Sequence, residues 1–185
     1  KTVAVIGTGK IGQVFAQNML GLGCKLIAFD PTPNQLLMTK GVNYLPLEDI
    51  WPQADIVSLH CPLNPSTQHL INAQTIAQLK TGVMLINTGR GGLIDTPAVV
   101  AGLKTKKIGY LGLDVYEEEG DLFFEDNSNE LLQDDTFARL LTFPNVVITG
   151  HQAFFTREAL TAISDITLSN LDNFAHGQFD QVCLI

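Results

Sequence analysis

Basic residues are scarce in this 185-residue chain: 11 Lys and Arg stand against 19 Asp and Glu, a formal net charge of −8. No basic cluster is present to neutralise a phosphate backbone, which excludes nucleic acid as the expected partner. Long apolar runs are also missing. None approaches the roughly 20 residues that span a bilayer, and no basic-apolar-small leader pattern occurs, so no membrane partner is expected and a cytoplasmic protein is the expectation. Cysteine is sparse and unpaired in pattern. Cys24, Cys61 and Cys183 are odd in number, form no C-x-x-C, and therefore suggest neither a disulfide framework nor a zinc site. The chain opens on Lys1 and a strand-like run begins almost at once, as in a fragment of a longer protein.

What is plentiful is apolar sequence, 45% of residues with only 16% charged, in short runs separated by helical patterns. Thr2 to Ile6, Lys25 to Phe29, Asp55 to Leu59, Val83 to Asn87, Tyr110 to Leu113 and Val146 to Thr149 are expected strands. Their near-continuous apolarity suits a parallel sheet covered by helices on both faces. Ile11, Val14, Phe15, Asn18 and Met19 recur at helical spacing before Leu20-Gly21-Leu22-Gly23 stops them. Phe155 to Ala175 is an expected amphipathic final helix. Ten of the 19 acidic residues fall between Asp114 and Asp135 with no Lys or Arg among them, an acidic excursion expected to be largely a solvated surface loop.

The first expected strand runs directly into Gly7-Thr8-Gly9-Lys10-Ile11-Gly12. Such spacing serves a diphosphate: Gly7 for a tight turn, Gly9 for close backbone approach, Gly12 for helix-on-strand contact, with a helix N-terminus aimed at the anion. Asp30 ends the next strand eighteen residues beyond Gly12, where a carboxylate accepts the ribose hydroxyls of NAD and repels the 2′-phosphate of NADP. A turn cap beside Pro31 is the alternative role for it. No Gly-Lys-Ser/Thr occurs, which excludes a P-loop.

Further chemistry follows the other strands, at the carboxyl edge where ligands gather in open α/β sheets. His60, Cys61 and Pro62 follow one; Thr88, Gly89 and Arg90 the next; Asp114 and the run Glu117, Glu118, Glu119 another; His151 the last. Arg90 has a planar fork suited to a carboxylate, with pairing to a surface acid as the alternative. A metal pair at His60 and Cys61 is not expected, since neighbours on a strand point to opposite faces and no further ligands follow. His69 and His176 are expected to be structural or solvent-facing, and spacing does not choose among the three glutamates.

These residues together resemble the D-isomer-specific 2-hydroxyacid dehydrogenases. "EEEGDLFFEDNSNELLQDDTFARL" and "GHQAFFTREAL" are similar to the fermentative D-lactate dehydrogenases within that family, and the likeness runs from Val3 to about Gly177. It implies a Rossmann-type doubly wound α/β domain over residues 1–152 that binds NAD. A C-terminal helix and tail, 153–185, would pack against a second, flavodoxin-like substrate domain lying outside this chain. It implies Arg90, Glu119 and His151 as catalytic residues, Glu119 fixing the tautomer of His151. Gly7, Thr8, Gly9, Lys10, Ile11, Gly12, Asp30, Cys61, Pro62, Thr67, Thr88, Gly89 and Asp114 would contact the cofactor. The implied substrate is a small 2-oxo or 2-hydroxy acid, with pyruvate reduced to D-lactate, in a homo-oligomer with no metal. Another D-2-hydroxyacid dehydrogenase, or a non-enzymatic NAD(H)-sensing binding module, is the alternative. Gly120 departs from the family pattern, in which Pro often follows the catalytic glutamate.

Overall fold

A computed structural model describes residues 1–120 and 133–179. Asp121, Glu125, Asp126 and Glu130 of the acidic excursion, and Cys183, lie outside the described residues. The chain divides into two compact units, Lys1–Gly150 and His151–Ile185.

The first unit is a seven-stranded parallel sheet in the order β3-β2-β1-β4-β5-β6-β7, formed by β1 (Thr2–Ile6), β2 (Lys25–Phe29), β3 (Asn43–Tyr44), β4 (Ile56–Leu59), β5 (Val83–Asn87), β6 (Ile108–Leu113) and β7 (Val146–Ile148). The fold is the expected Rossmann-type α/β arrangement. The apolar runs are continuous because both faces are covered. Val3 and Val5 of β1 pack with Ala16, Leu26, Leu37 and Val42, whereas the alternate residues Ala4 and Ile6 belong to the other cluster with Ile27, Ile50, Trp51 and Val57. Side chains two apart share a face, so one strand feeds two cores. All four β1 residues from Val3 to Ile6 are at most 1% exposed.

Among the described residues, the helices of this unit are α1 (Lys10–Gly21), α2 (Gln35–Thr39), α3 (Leu47–Ile50), α4 (Ala73–Gln78), α5 (Thr96–Lys104) and α6 (Asp135–Leu141). A 3-10 turn, Gly91–Leu93, precedes α5. Most helices begin on a side-chain cap: Asn34 for α2, Asn72 for α4, Asp95 for α5 and Asp134 for α6 each accept a backbone N–H of the first turn. Apart from the single-turn α3, α1 is the exception, starting at Gly9 with no side-chain cap and no acid in its first turn. The apolar spacing read along α1 does not mark a wholly buried face, since Ile11 is 72% and Val14 53% exposed.

Strand β3 has no counterpart in the sequence reading. It is two residues long, at the sheet edge, entered through Gly41 at φ +90°. The pairing of β5 with β6 slips between Val83 and Met84, leaving Gly109 opposite no partner. A Cβ on Gly109 would strike Gly82.

The second unit holds α7 (Arg157–Ala175), capped by Thr156 Oγ1 accepting from Ala159 N at 3.2 Å. It buries no residue, and Leu160, Ile163, Ile166, Leu168, Leu171 and Phe174 are exposed along it. Among the described residues no helix is long and apolar enough to cross a membrane.

Candidate active site

The order in which successive strands are added reverses between the parallel neighbours β1 and β4, the crevice where doubly wound folds take ligands. Gly7 leaves β1 at φ +91°, a region costly to any residue with a Cβ, and its N–H donates to Phe29 O at 2.8 Å. A Cβ there would sit 2.5 Å from Cys61 N, so Gly7 lets the two strand ends touch. Gly12 is equally constrained: its Cβ would overlap the Gly7 carbonyl and lie 3.2 Å from His60 Cβ. Gly9 differs from both. Among the described residues nothing lies within 4 Å of the position its Cβ would take. Protein packing therefore does not require glycine at 9, while an anion approaching the uncapped N–H groups of α1 would.

Asp30, at the end of β2, is held over this loop. Its Oδ2 accepts from Thr8 N (2.7 Å) and Thr8 Oγ1 (3.2 Å), and Oδ1 accepts from Thr32 N (2.8 Å). The turn role of Asp30 is thus present, Oδ1 closing the turn beyond Pro31, while Oδ2 bridges to the glycine loop. Tyr44 extends the network, its hydroxyl donating to Thr8 Oγ1 (2.9 Å) and accepting from Asn34 N (3.0 Å). The open seat at Gly9 and the carboxylate beside it fit the diphosphate and ribose of a dinucleotide.

Past β4, His60 Nε2 bonds Ser58 Oγ at 2.9 Å and its ring lies 4.9 Å from that of Phe15. Burial lowers the His60 pKa, and burial also raises that of the Cys61 thiol, with the Asp30 charge adding to the rise. Pro62 and Thr67 close the next turn: Thr67 Oγ1 donates to Pro62 O at 2.7 Å and accepts from Asn64 N at 2.9 Å. Among the described residues no group of three His, Cys, Asp or Glu is placed to hold a metal ion.

Past β5, the turn Thr88-Gly89-Arg90 is built on Asn87, which is fully buried. Its Oδ1 accepts from Gly89 N (3.1 Å) and its Nδ2 donates to Arg90 O (2.8 Å). Arg90 itself is exposed, with Nη1 donating to Gly89 O at 2.9 Å. Past β6, Asp114 is 4% exposed and accepts from the Thr149 hydroxyl. Glu119 Oε2 accepts from Tyr116 N at 3.1 Å. Glu117 is engaged elsewhere, with His69 Nε2 (2.6 Å), Thr96 N (3.0 Å) and Thr96 Oγ1 (2.6 Å). The acidic excursion is therefore not solvated throughout: Glu117 and Asp114 are bonded inward, and Asp134 takes the Tyr116 hydroxyl at 2.6 Å. Burial, then that hydrogen bond, raises the Tyr116 pKa. His151 opens the second unit in the left-handed region, φ +51°.

The first unit thus brings Gly7, Thr8, Gly12, Asp30 and Cys61 into direct contact, and the Arg90 turn against the segment leading to Glu119 through Gly91, whose Cβ would overlap Tyr116. The sequence names Asn87 only as a strand end and Glu117 only as one of three undistinguished glutamates, and gives no role to Tyr44. An amide ending an apolar strand just before a Thr-Gly-Arg turn was a usable signal for Asn87; nothing local marks the other two.

Residues 1–153 match the family described as D-isomer specific 2-hydroxyacid dehydrogenase, NAD binding domain. The chain is 53% identical over 177 residues to a D-lactate dehydrogenase of Curvularia clavata, covering 96% of this chain and 51% of that protein. It is 52% identical over 178 residues to a D-lactate dehydrogenase of Escherichia coli (strain K12), covering 96% and 54%. Among solved structures it is similar to the D-lactate dehydrogenase of Aquifex aeolicus complexed with NAD and lactic acid, with TM-score 0.91, 35% identity, and coverage of 98% of this chain and 55% of that one. The chain spans about half the length of the curated relatives it matches. By this match over most of its length and these identities, the chain belongs to the D-isomer specific 2-hydroxyacid dehydrogenase family.

Proposed function

We propose that this chain forms the cofactor-binding part of an NAD-dependent oxidoreductase interconverting D-lactate and pyruvate, acting in the cytoplasm, in fermentation, within a homo-oligomer. The observation that carries it is the pairing of an open Gly9 seat with a fixed Asp30 carboxylate, on the edge of the sheet from which the Arg90 turn also projects. When bound, the nicotinamide supplies the carbon that gives or takes hydride. Gly7, Thr8, Gly9, Lys10, Ile11 and Gly12 seat the diphosphate. Asp30 takes the ribose hydroxyls. Cys61, Pro62, Thr67, Thr88, Gly89 and Asp114 line the remainder, Asp114 with its carboxylate oriented by Thr149. Arg90 grips the substrate carboxylate with two parallel N–H donors and polarises the keto oxygen. His151 donates the proton to that oxygen and recovers it in the reverse direction, with Glu119 as the carboxylate that sets its tautomer. That the Curvularia clavata, Escherichia coli and Aquifex aeolicus relatives are D-lactate dehydrogenases supports lactate over other 2-hydroxy acids.

Steady-state oxidation of NADH with pyruvate by the complete protein tests this. His151→Asn should lower kcat by about 10²–10⁴-fold with NADH affinity retained. Arg90→Lys should raise KM for pyruvate and lower kcat together, because the fork is lost while the charge stays. Near-normal turnover in His151→Asn removes it from the mechanism. Tight NADH binding with no turnover of any 2-oxo acid would favour the sensing module instead.

A further inference from the structure

The proposed reaction needs Arg90 and Glu119 in fixed register, yet they stand on separate connections, one after β5 and one after β6. We infer that Glu117 is the positioning residue that locks these two connections together, a role that rests on the dehydrogenase reading of Arg90 and Glu119. Among the described residues, the hydrogen bonds of its carboxylate lead back to the Arg90 turn. Oε2 accepts from Thr96 N (3.0 Å) and Thr96 Oγ1 (2.6 Å), and Thr96 is the first residue of α5, just beyond the 3-10 turn that follows Arg90. Oε1 meets His69 Nε2 at 2.6 Å. The backbone of His69 is itself bonded to that turn, its N–H donating to Gly92 O at 2.8 Å, while Ile71 N donates to Leu93 O at 3.0 Å.

Steric fit supports the same link. A Cβ on Gly91, the neighbour of Arg90, would overlap the Tyr116 carbonyl and lie 2.5 Å from Glu117 N. The two backbones are therefore in direct contact, and Glu117 supplies the polar bonds that hold them there. On its other side, Glu119 Oε2 accepts from Tyr116 N, the residue just before Glu117. Two glutamates two positions apart thus take different tasks. Glu117 receives three donors, two from Thr96 and one at His69, and is held; Glu119 is carried on the segment that Glu117 holds. A hydrogen-bonded carboxylate with several donors is among the stronger noncovalent ties available to a loop. Without it, the Arg90 turn and the segment carrying Glu119 would keep their backbone contact at Gly91 but lose three polar ties, and a displacement of about 1 Å in such a pair costs on the order of 10²-fold in rate.

Kinetics of the complete protein test the role. Glu117→Ala should reduce kcat/KM for pyruvate by about 10–100-fold, through a higher KM and a lower kcat together, with NADH affinity within about twofold. Glu117→Gln should recover most of the loss: its carbonyl oxygen accepts both Thr96 donors, and its amide faces a His69 ring nitrogen acting as acceptor. Thr96→Val keeps the volume and the N–H but removes the 2.6 Å hydroxyl bond, so it should fall between the two. A residue that only stabilised the fold would lower Tm and leave kcat and KM per folded molecule unchanged. Wild-type kcat and KM in folded Glu117→Ala, or in folded Thr96→Val where the alanine variant does not fold, overturns the role. Failure of the unsubstituted protein to reduce any 2-oxo acid overturns the dehydrogenase reading and this role with it, and is seen before any substitution is made.

Discussion

Three glycines of one loop should respond to substitution in two different ways. Gly7→Ala places a Cβ at φ +91° and 2.5 Å from Cys61 N. Left-handed backbone costs an L-residue roughly 1–2 kcal/mol, and forcing the neighbouring strand end aside adds roughly 1–3 kcal/mol. Gly12→Ala gains up to about 1 kcal/mol of helix propensity, but overlap with the Gly7 carbonyl and contact with His60 outweigh it. Gly9→Ser should do neither. Its Cβ meets nothing of the protein, φ is −65°, and serine is at least as good as glycine at a helix N-cap, so stability should stay within about 0.5 kcal/mol. The added side chain would occupy the proposed dinucleotide seat, however, and an overpacking cost of roughly 1–3 kcal/mol should weaken NADH about 5- to 150-fold. Thermal unfolding by circular dichroism separates the classes, at roughly 2–4 °C per kcal/mol for a chain of this size, and NADH titration by fluorescence completes the comparison. Gly9→Ser that binds NADH like the parent chain, or that unfolds as early as Gly7→Ala, refutes the assignment of the seat.

His60 should make the fold acid-sensitive. Burial holds its pKa below the ordinary 6.5, so the unfolded state binds the extra proton; stability is full above 6.5 and declines as pH falls through the lower folded value. Asp55, lowered by Thr2 N and Lys80, adds a loss only below 3.8; His60→Gln should therefore flatten the urea midpoint between about pH 7.5 and 5, and an unchanged slope would assign the sensitivity elsewhere. Cys61, with its thiol pKa raised, should alkylate slowly at neutral pH and more slowly with NADH bound, read by mass spectrometry at that residue; fast alkylation indifferent to NADH would remove it from the cofactor wall. The 185-residue chain by itself should bind NADH yet show no steady reduction of pyruvate, because a clamped, dry crevice needs a second wall; enzyme-like turnover would show the substrate site to be complete within it.

Much of the sheet was legible because an apolar run ended by a turn residue has few other meanings. β1, β2 and β5 begin and end where those runs do, bounded by Gly7, Asp30 and the Thr-Gly turn after Asn87. β3 was illegible: two residues at an edge, one of them Asn43, carry no period. Gly7 and Gly12 could be read since a tight turn and a close helix-on-strand approach dictate glycine locally. Glu117 could not be, because its partners His69 and Thr96 lie 48 and 21 residues away and only the fold brings them to it. Tyr44 escaped for the same reason, reaching Thr8 across 36 residues.

Calorimetric titration of the chain with NADH and with NADPH decides whether the glycine loop and Asp30 form an NAD seat. Asp30, with Oδ2 already fixed by Thr8 and its charge beside the glycine loop, should accept the ribose diol of NADH and repel a 2′-phosphate. The account predicts NADH binding that Asp30→Ala weakens, and NADPH binding at least about tenfold weaker, a gap of about 1.4 kcal/mol or more, that Asp30→Ala narrows. Equal or tighter binding of NADPH, or binding of neither cofactor, would contradict it.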